Sequence, residues 1–503
     1  MLTRVVFYLS FILVLAFSSA VFSDAPVNPP APKAGHGAIP DDLAQPSAEQ
    51  PFAPSYITTD TGKKLEPGDW TDPQVCAGCH PRQFKGWQGS MHSISFKDPV
   101  FQALWAIGDK ETNGATKNHC GGCHSPIGTA TQSIVFDPKM GKHGGFATGS
   151  VAAQGVSCDV CHTISGSNIN KTATLEHGNA SFIMSPGKIK RATLRDAKSP
   201  FHETAYSAMH SRSEFCGNCH NIFHPVNNFP IERTYDEWKY SIYAQNDIQC
   251  QDCHMVPVEV AIKVADTLTR PKEMKDLGLE GFAGMGGPQR DLVHDHAFVG
   301  GNAVIAKEMG VAGADLHYEE AVKRLKSVAS LGISLKSGEG TLRRLKVKVT
   351  NERAGHHLPT SLTEVRQVWI EVVVTDEKDR ELFRSGSLNQ QNELPEDTVI
   401  FNAHAVDKDG HHTSEPWEIV RFTDVNTIPP RGYKFGKYAF NVHEDSGTLK
   451  VSAKLHYRSF AQSLADTLLG KDKLKVPSIE MQSLEKTFAP ADLDVARVED
   501  SLH

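Results

Sequence analysis

All ten cysteines of this 503-residue chain fall in five Cys-x-x-Cys-His sites. They are Cys76-Ala77-Gly78-Cys79-His80, Cys120-Gly121-Gly122-Cys123-His124, Cys158-Asp159-Val160-Cys161-His162, Cys216-Gly217-Asn218-Cys219-His220 and Cys250-Gln251-Asp252-Cys253-His254. Two thiols three positions apart can bond the two vinyl groups of one porphyrin, and the adjacent His then supplies the proximal nitrogen to iron. Disulfides, redox-active dithiols and zinc sites also use paired cysteines. None of these explains a His directly after every second Cys. The pattern predicts five covalently bound haem c groups, with His80, His124, His162, His220 and His254 as proximal ligands.

The sites begin at residues 76, 120, 158, 216 and 250. So little chain per haem cannot wrap each one separately. The haems are expected to share walls, with short helices carrying the motifs and loops between them. The fold class expected is α+β and multi-domain: a haem-dominated, mostly α and loop cytochrome domain, then an antiparallel β-sandwich. The ends read as export and tether. Met1–Arg4 is a positive n-region, Val5–Phe17 an apolar h-region, and Ser18–Ala20 or Val21–Ser23 a cleavage site, so 1–23 is expected to be a secretory signal peptide. An uncleaved membrane anchor is the alternative. No cysteine precedes Cys76, which argues against a lipoprotein anchor. Residues 24–56 are rich in Pro and Ala and read as a tether. The cytochrome domain with a helical extension is expected over 57–340, the β-sandwich over 341–460, and a short helix and polar tail over 461–503.

The far side of each iron needs its own ligand. His92, in Ser90-Met91-His92 after the first site, is one candidate. His202 before the fourth site, His296 in His294-Asp295-His296-Ala297, and His356 in Ala354-Gly355-His356 are the others of first rank. His119, His210 and His224 lie near sites and are weaker; His177 is possible, and Met91, Met209 or Met255 would raise a potential. If every iron has two protein ligands, the molecule only passes electrons; an open position would permit small-molecule chemistry.

After the haem region, Tyr318–Leu331 shows an apolar face through Ala321, Leu325, Val328 and Ala329. From 341 the period becomes two: Leu345, Val347 and Val349, then Val368, Ile370, Val372 and Val374. Tyr438–Val442 and Leu449–Tyr457 read as a hairpin across Glu444–Gly447. An immunoglobulin-like sandwich with a docking or closing role is expected.

Several segments resemble the superfamily that includes the tetrahaem cytochrome partnered with hydroxylamine oxidoreductase. They are Trp87 with Ser90-Met91-His92, Gly155-Val156-Ser157, Ser213-Glu214-Phe215, Tyr235-Asp236-Glu237-Trp238 before the fifth site, His296-Ala297-Phe298-Val299-Gly300-Gly301-Asn302, and Ala354-Gly355-His356. The resemblance implies that His92, His202, His296 and His356 face iron in low-potential, bis-His haems, and that the activity is electron transfer. The added β domain departs from the smaller members, so their partner does not carry over. Pentahaem nitrite reductases share the haem count, but their catalytic haem uses a Lys where all five motifs here end in His. The expectation is an electron-transfer protein; a multihaem oxidoreductase acting on a small nitrogen or sulfur compound at one five-coordinate haem is the alternative. Partners are expected to be other exported redox proteins, in the periplasm or at the cell surface. A net charge of −7 gives no basic field for nucleic acid, and no transmembrane span is expected once the leader is removed.

Overall fold

A computed structural model describes residues 46–172, 175–225 and 228–493. The expected leader, most of the tether and the last ten residues lie outside them. Among the described residues no helix is long and apolar enough to cross a membrane.

Up to residue 328 the chain is short helices and loops, with strands of only two to four residues. The motifs sit on short helices, four of a single turn and one longer: Pro73–Ala77, Thr116–His124, Cys158–His162, Ser213–Gly217 and Cys250–His254. Local chemistry starts several of them. Asp72 accepts from Gln74 N ahead of Pro73, and Gln249 and Asp252 form a reciprocal capping box. One turn is enough, because it puts both cysteines and the following His on one side. His80 N and His220 N still bond the carbonyls of Cys76 and Cys216, at 2.8 and 2.9 Å. The apolar core here is broken into separate clusters, around Phe182 and Met184, around Tyr243 and Val264, and around Trp105 and Phe146.

The second half has one continuous core. Its strands are β1 (Ala329–Ser337), β2 (Leu342–Asn351), β3 (Gln367–Asp376), β4 (Glu381–Ser385), β5 (Ile400–Phe401), β6 (Tyr433–Asn441), β7 (Leu449–Arg458) and β8 (Ile479–Phe488). One sheet has the order β1-β2-β6; the other runs β4-β3-β7-β8, with β5 also on β3, and all pairings are antiparallel. Val347, Val349, Val372, Val374, Val451 and Leu455 meet between the sheets.

Three expectations are corrected. The helix runs Ala314–Ser327, and Ala329 and Leu331 already belong to β1, so the sheet begins before 341. The predicted hairpin does not form: β6 pairs with β2, and β7 with β3 and β8, so residues 442–448 cross between sheets. Period two marks a strand but does not choose its partner. Residues 479–488 form β8 rather than polar tail. Glu480 and Glu485 face out to Lys454 and Lys450, at 3.1 Å each, while Ile479 and Met481 go in; those edge charges hid the strand.

The halves are joined by specific contacts. Arg353 Nε donates to Asp266 Oδ1 at 2.7 Å, Phe229 meets Phe422 edge-on at 4.9 Å, and Trp417 lies against Gly108, which has no room for a Cβ.

Candidate functional site

Each motif histidine has its Nδ1 held by an oxygen. His80 Nδ1 bonds Ala283 O (2.7 Å), His124 Ser95 O (2.9 Å), His162 Arg191 O (2.7 Å) and His254 Val299 O (2.8 Å). A carbonyl oxygen only accepts, so Nδ1 carries the proton and Nε2 keeps its lone pair for a metal. His220 makes the corresponding contact to a carboxylate, Glu232 Oε1, at 3.4 Å.

Four motif imidazoles have a second imidazole across from them. The pairs are His80–His202 (6.3 Å between ring centres), His220–His92 (6.2 Å), His162–His296 (6.2 Å) and His254–His356 (6.2 Å). Two imidazoles bound by nitrogen to opposite sides of one iron have ring centres about 6 Å apart. Desolvation, with a neighbouring charge or imidazole, pushes His92, His254 and His296 down to about 3. These rings are neutral at pH 7, the form that ligates metal. None of the ten cysteines is paired with another in a disulfide. This donor set fits five covalently held haems.

The remaining candidates fall elsewhere. His119 lies across from His224 at 6.4 Å, a pair without a motif histidine. His124 has no imidazole partner among the ring contacts of the described residues; Phe101 stacks flat on it at 3.6 Å and 5°. His210 is 5.9 Å from His162, but its Nε2 is taken by Cys161 O at 2.9 Å. His177 bonds Asn218 Oδ1 at 3.0 Å. Met91 and Met209 pack with apolar clusters.

Contacts between motifs give the order of the sites in space. The thiols of Cys76 and Cys158, of Cys216 and Cys250, and of Cys219 and Cys123 are near enough to shift one another's titration; Cys161 lies in the field of Cys219. The first site therefore adjoins the third, the third adjoins the fourth, and the fourth adjoins both the second and the fifth. Imidazole interactions of His80 with His162, and of His124 and His254 with His220, repeat that order.

Sequence reading missed the residues behind the ligands. Glu232 is 5% exposed and accepts from Thr234 Oγ1 at 2.8 Å; Thr234 meets Thr360 Oγ1 at 2.8 Å; Thr360 donates to Glu237 Oε2 at 2.5 Å, which also accepts His357 N at 3.1 Å. A polar chain thus runs from His220 to the sandwich loop carrying His356. Arg324, whose guanidinium donates to Cys253 O (2.8 Å) and Val256 O (2.6 Å), braces the fifth site. No local motif announces either feature, because the contacts that carry Thr234 to Thr360 and Arg324 to the fifth site span 68 to 126 residues.

A family model described as cytochrome c554 and c-prime matches residues 75–163, which include the first three sites. A penta-heme cytochrome c552 from Thermochromatium tepidum superposes with a TM-score of 0.55 at 16% identity, over 84% of this chain and all of that one. Together these support a multihaem c-type cytochrome. The likeness to the penta-heme protein covers too much of the chain to be confined to the haem region; it includes sandwich as well. MtrC from Shewanella baltica OS185 matches at TM-score 0.19 and 13% identity, over 52% of this chain and 46% of its own, too loose to bear on the fold. No curated protein matches.

Proposed function

We propose that the chain is a pentahaem c-type cytochrome that passes electrons between exported redox partners. The carrying observation is the set of four imidazole pairs at 6.2–6.3 Å, each opposing a motif histidine. Bound haem supplies a one-electron Fe(III)/Fe(II) couple. The ten motif cysteines would hold it covalently, and His80 with His202, His92 with His220, His162 with His296 and His254 with His356 would hold the iron at four sites. The chain's residues hold the rings in fixed orientation through the Nδ1 acceptors, so little reorganises when charge arrives. Adjacent motifs within thiol contact support a branched path, first to third to fourth, with the second and fifth as its other ends. A pyridine haemochrome assay with intact mass is expected to give five haems per chain; fewer would sink the assignment.

One observation favours a second activity at one site. Among the described residues no imidazole opposes His124, so the second site is proposed to hold a five-coordinate iron that can take a small nitrogen or sulfur compound. Reduced protein is expected to bind CO at one iron per chain.

Glu232 tunes the branch point. A carboxylate accepting from a ligand's Nδ1–H strengthens that ligand and favours ferric iron. Desolvation opposes a proton on His220, and Glu232 overcomes it, lifting His220 to about 9. Glu232→Gln is expected to raise one haem potential by tens of millivolts, on the order of one kcal/mol, in a spectroelectrochemical titration. Five unmoved potentials would remove that role.

A further inference from the structure

Charges on a sheet pair with opposite charges across strands, because like charges placed directly opposite repel. The outer face of β3, β4, β7 and β8 keeps that rule. Lys450 meets Glu485, Lys454 meets Glu480, Arg384 meets Glu381 and His456 meets Glu371.

The outer face of the other sheet breaks it. Leu345, Val347 and Val349 of β2 point into the core, so the alternate residues point outward. There Lys336 of β1 stands directly opposite Arg344 of β2, and Lys346 of β2 directly opposite Lys437 of β6. Lys348 follows, opposite Phe435, which is 40% exposed. No outward position of the three strands is acidic. Beyond the strands, Glu339 lies in the turn between β1 and β2, and Glu352 lies past the other end of β2 with its carboxylate on Ser330 Oγ. Set against five cations, these two leave an excess of three positive charges on this face, in a chain of net charge −7.

Edge protection accounts for only part of this. Lysines on edge strands keep a sheet from adding further strands, and Lys336 and Lys437 stand on the edge strands β1 and β6. Arg344, Lys346 and Lys348 stand on β2, whose two sides are already paired. Among the described residues these three form no ion pair. The lysines are held over rings instead: Lys348 Nζ is 4.1 Å from the centre of Tyr433 and Lys346 Nζ is 5.9 Å from that of Phe435. A chain keeps a local conflict of this kind where function uses it. The face also ends beside one end of the site order. Thr350, opposite Tyr433, is followed by Asn351, whose Nδ2 donates to His356 O at 3.0 Å. His356 is the imidazole opposite His254 at the fifth site.

We propose that the outer face of β1, β2 and β6 docks an acidic redox protein, its carboxylates seated on Arg344, Lys346 and Lys348 around Phe435, so that electrons cross at the fifth site. The inference rests on the electron-transfer reading above. The reduced partner loses one electron, a ferric iron at the fifth site gains it, and no bond forms or breaks. Repulsion from the acidic remainder of the chain orients such a partner toward this face.

The test is stopped-flow reduction of the holoprotein by photoreduced plant-type ferredoxin, an acidic low-potential donor. The second-order rate constant is expected to fall about tenfold as salt rises from about 20 to about 300 mM. Lys346→Gln/Lys348→Gln is expected to lower it about threefold at low salt, and Arg344→Gln added to them about tenfold. Lys450→Gln/Lys454→Gln, which removes as many charges as the first pair but from the ion-paired face, is expected to leave it unchanged. The substitutions on β2 relieve repulsion, so their urea midpoint is expected to match or exceed that of the wild type; a midpoint that falls along with the rate would make these cations structural and overturn the docking face. Equal effects of the two double variants, or none from either, would also overturn it, as would a protein that dithionite reduces and ferredoxin does not. Sedimentation with phosphatidylglycerol vesicles that only the β2 variants lose, with the ferredoxin rate unmoved, would give the face to lipid instead. Salt dependence that appears only when residues 494–503 are deleted would give it to that segment. A protein that dithionite does not reduce, or that lacks a haem spectrum, would overturn the electron-transfer reading itself.

Discussion

In the resting ferric protein, one iron in five gives a high-spin EPR signal, and His296→Ala raises that to two: this is the expected outcome. The first part follows from His124. Its Nδ1 is anchored on Ser95 O and Phe101 lies flat along its ring, yet among the described residues no imidazole stands opposite it. The second part follows from His162, whose only other close imidazole among the ring contacts is His210. His210 has given its Nε2 to the carbonyl of Cys161, so that nitrogen does not stand in for the one lost with His296. CO binding to the reduced protein is expected to rise in step, from one per chain to two. A wild-type spectrum with no high-spin iron would mean that the second site finds a sixth ligand. An unchanged spectrum in the variant would mean that His296 is not one.

The second large effect concerns stability. Glu364 is 5% exposed, and neither carboxyl oxygen has a hydrogen-bond partner. Burial pushes its carboxyl up to about 7 from 4.5. A group with a raised folded pKa leaves stability intact below the unfolded value and removes it as pH climbs through the folded one. The loss is therefore expected between about pH 4.5 and 7 and amounts to about 3 kcal/mol above that window. Glu364→Met, similar in volume and without charge, is expected to recover most of this at pH 8 and almost nothing at pH 4.5. Guanidinium unfolding of the holoprotein at the two pH values checks it. An equal effect of the substitution at both would show that packing, and not ionisation, sets the cost.

What the sequence disclosed and what it hid divide along a physical line. The thiols and proximal imidazoles are written locally, five residues at a time. His92, His202, His296 and His356 stood out by neighbourhood and resemblance, and they are the four imidazoles found opposite motif rings. His119 stood out for the same local reason, yet it faces His224, because nearness along the chain does not fix the side of a helix to which a loop returns. The Nδ1 acceptors at Ala283, Ser95, Arg191 and Val299 are backbone carbonyls, which every residue possesses, so no side chain signals them. In the sandwich, alternation revealed β2, β3 and β7, but the partner of β6 was not contained in its own pattern. The strand Ile479–Phe488 was masked by the charges that protect its edge.

The separation of the paired imidazoles has a consequence for how the molecule holds together. His80 and His202, His92 and His220, His162 and His296, and His254 and His356 each lie more than 100 residues apart. With a metal bound between them, each pair closes a very long covalent ring. In chain-entropy terms, a link across a loop of 100 residues restrains the unfolded chain by about 4–5 kcal/mol, and the rings interlock, since each begins inside another or ends within it. The cofactors are then clasps as well as conductors. A chain without them would be left with fragmented cores around Phe182, Tyr243 and Trp105, whereas the sandwich keeps a core of its own.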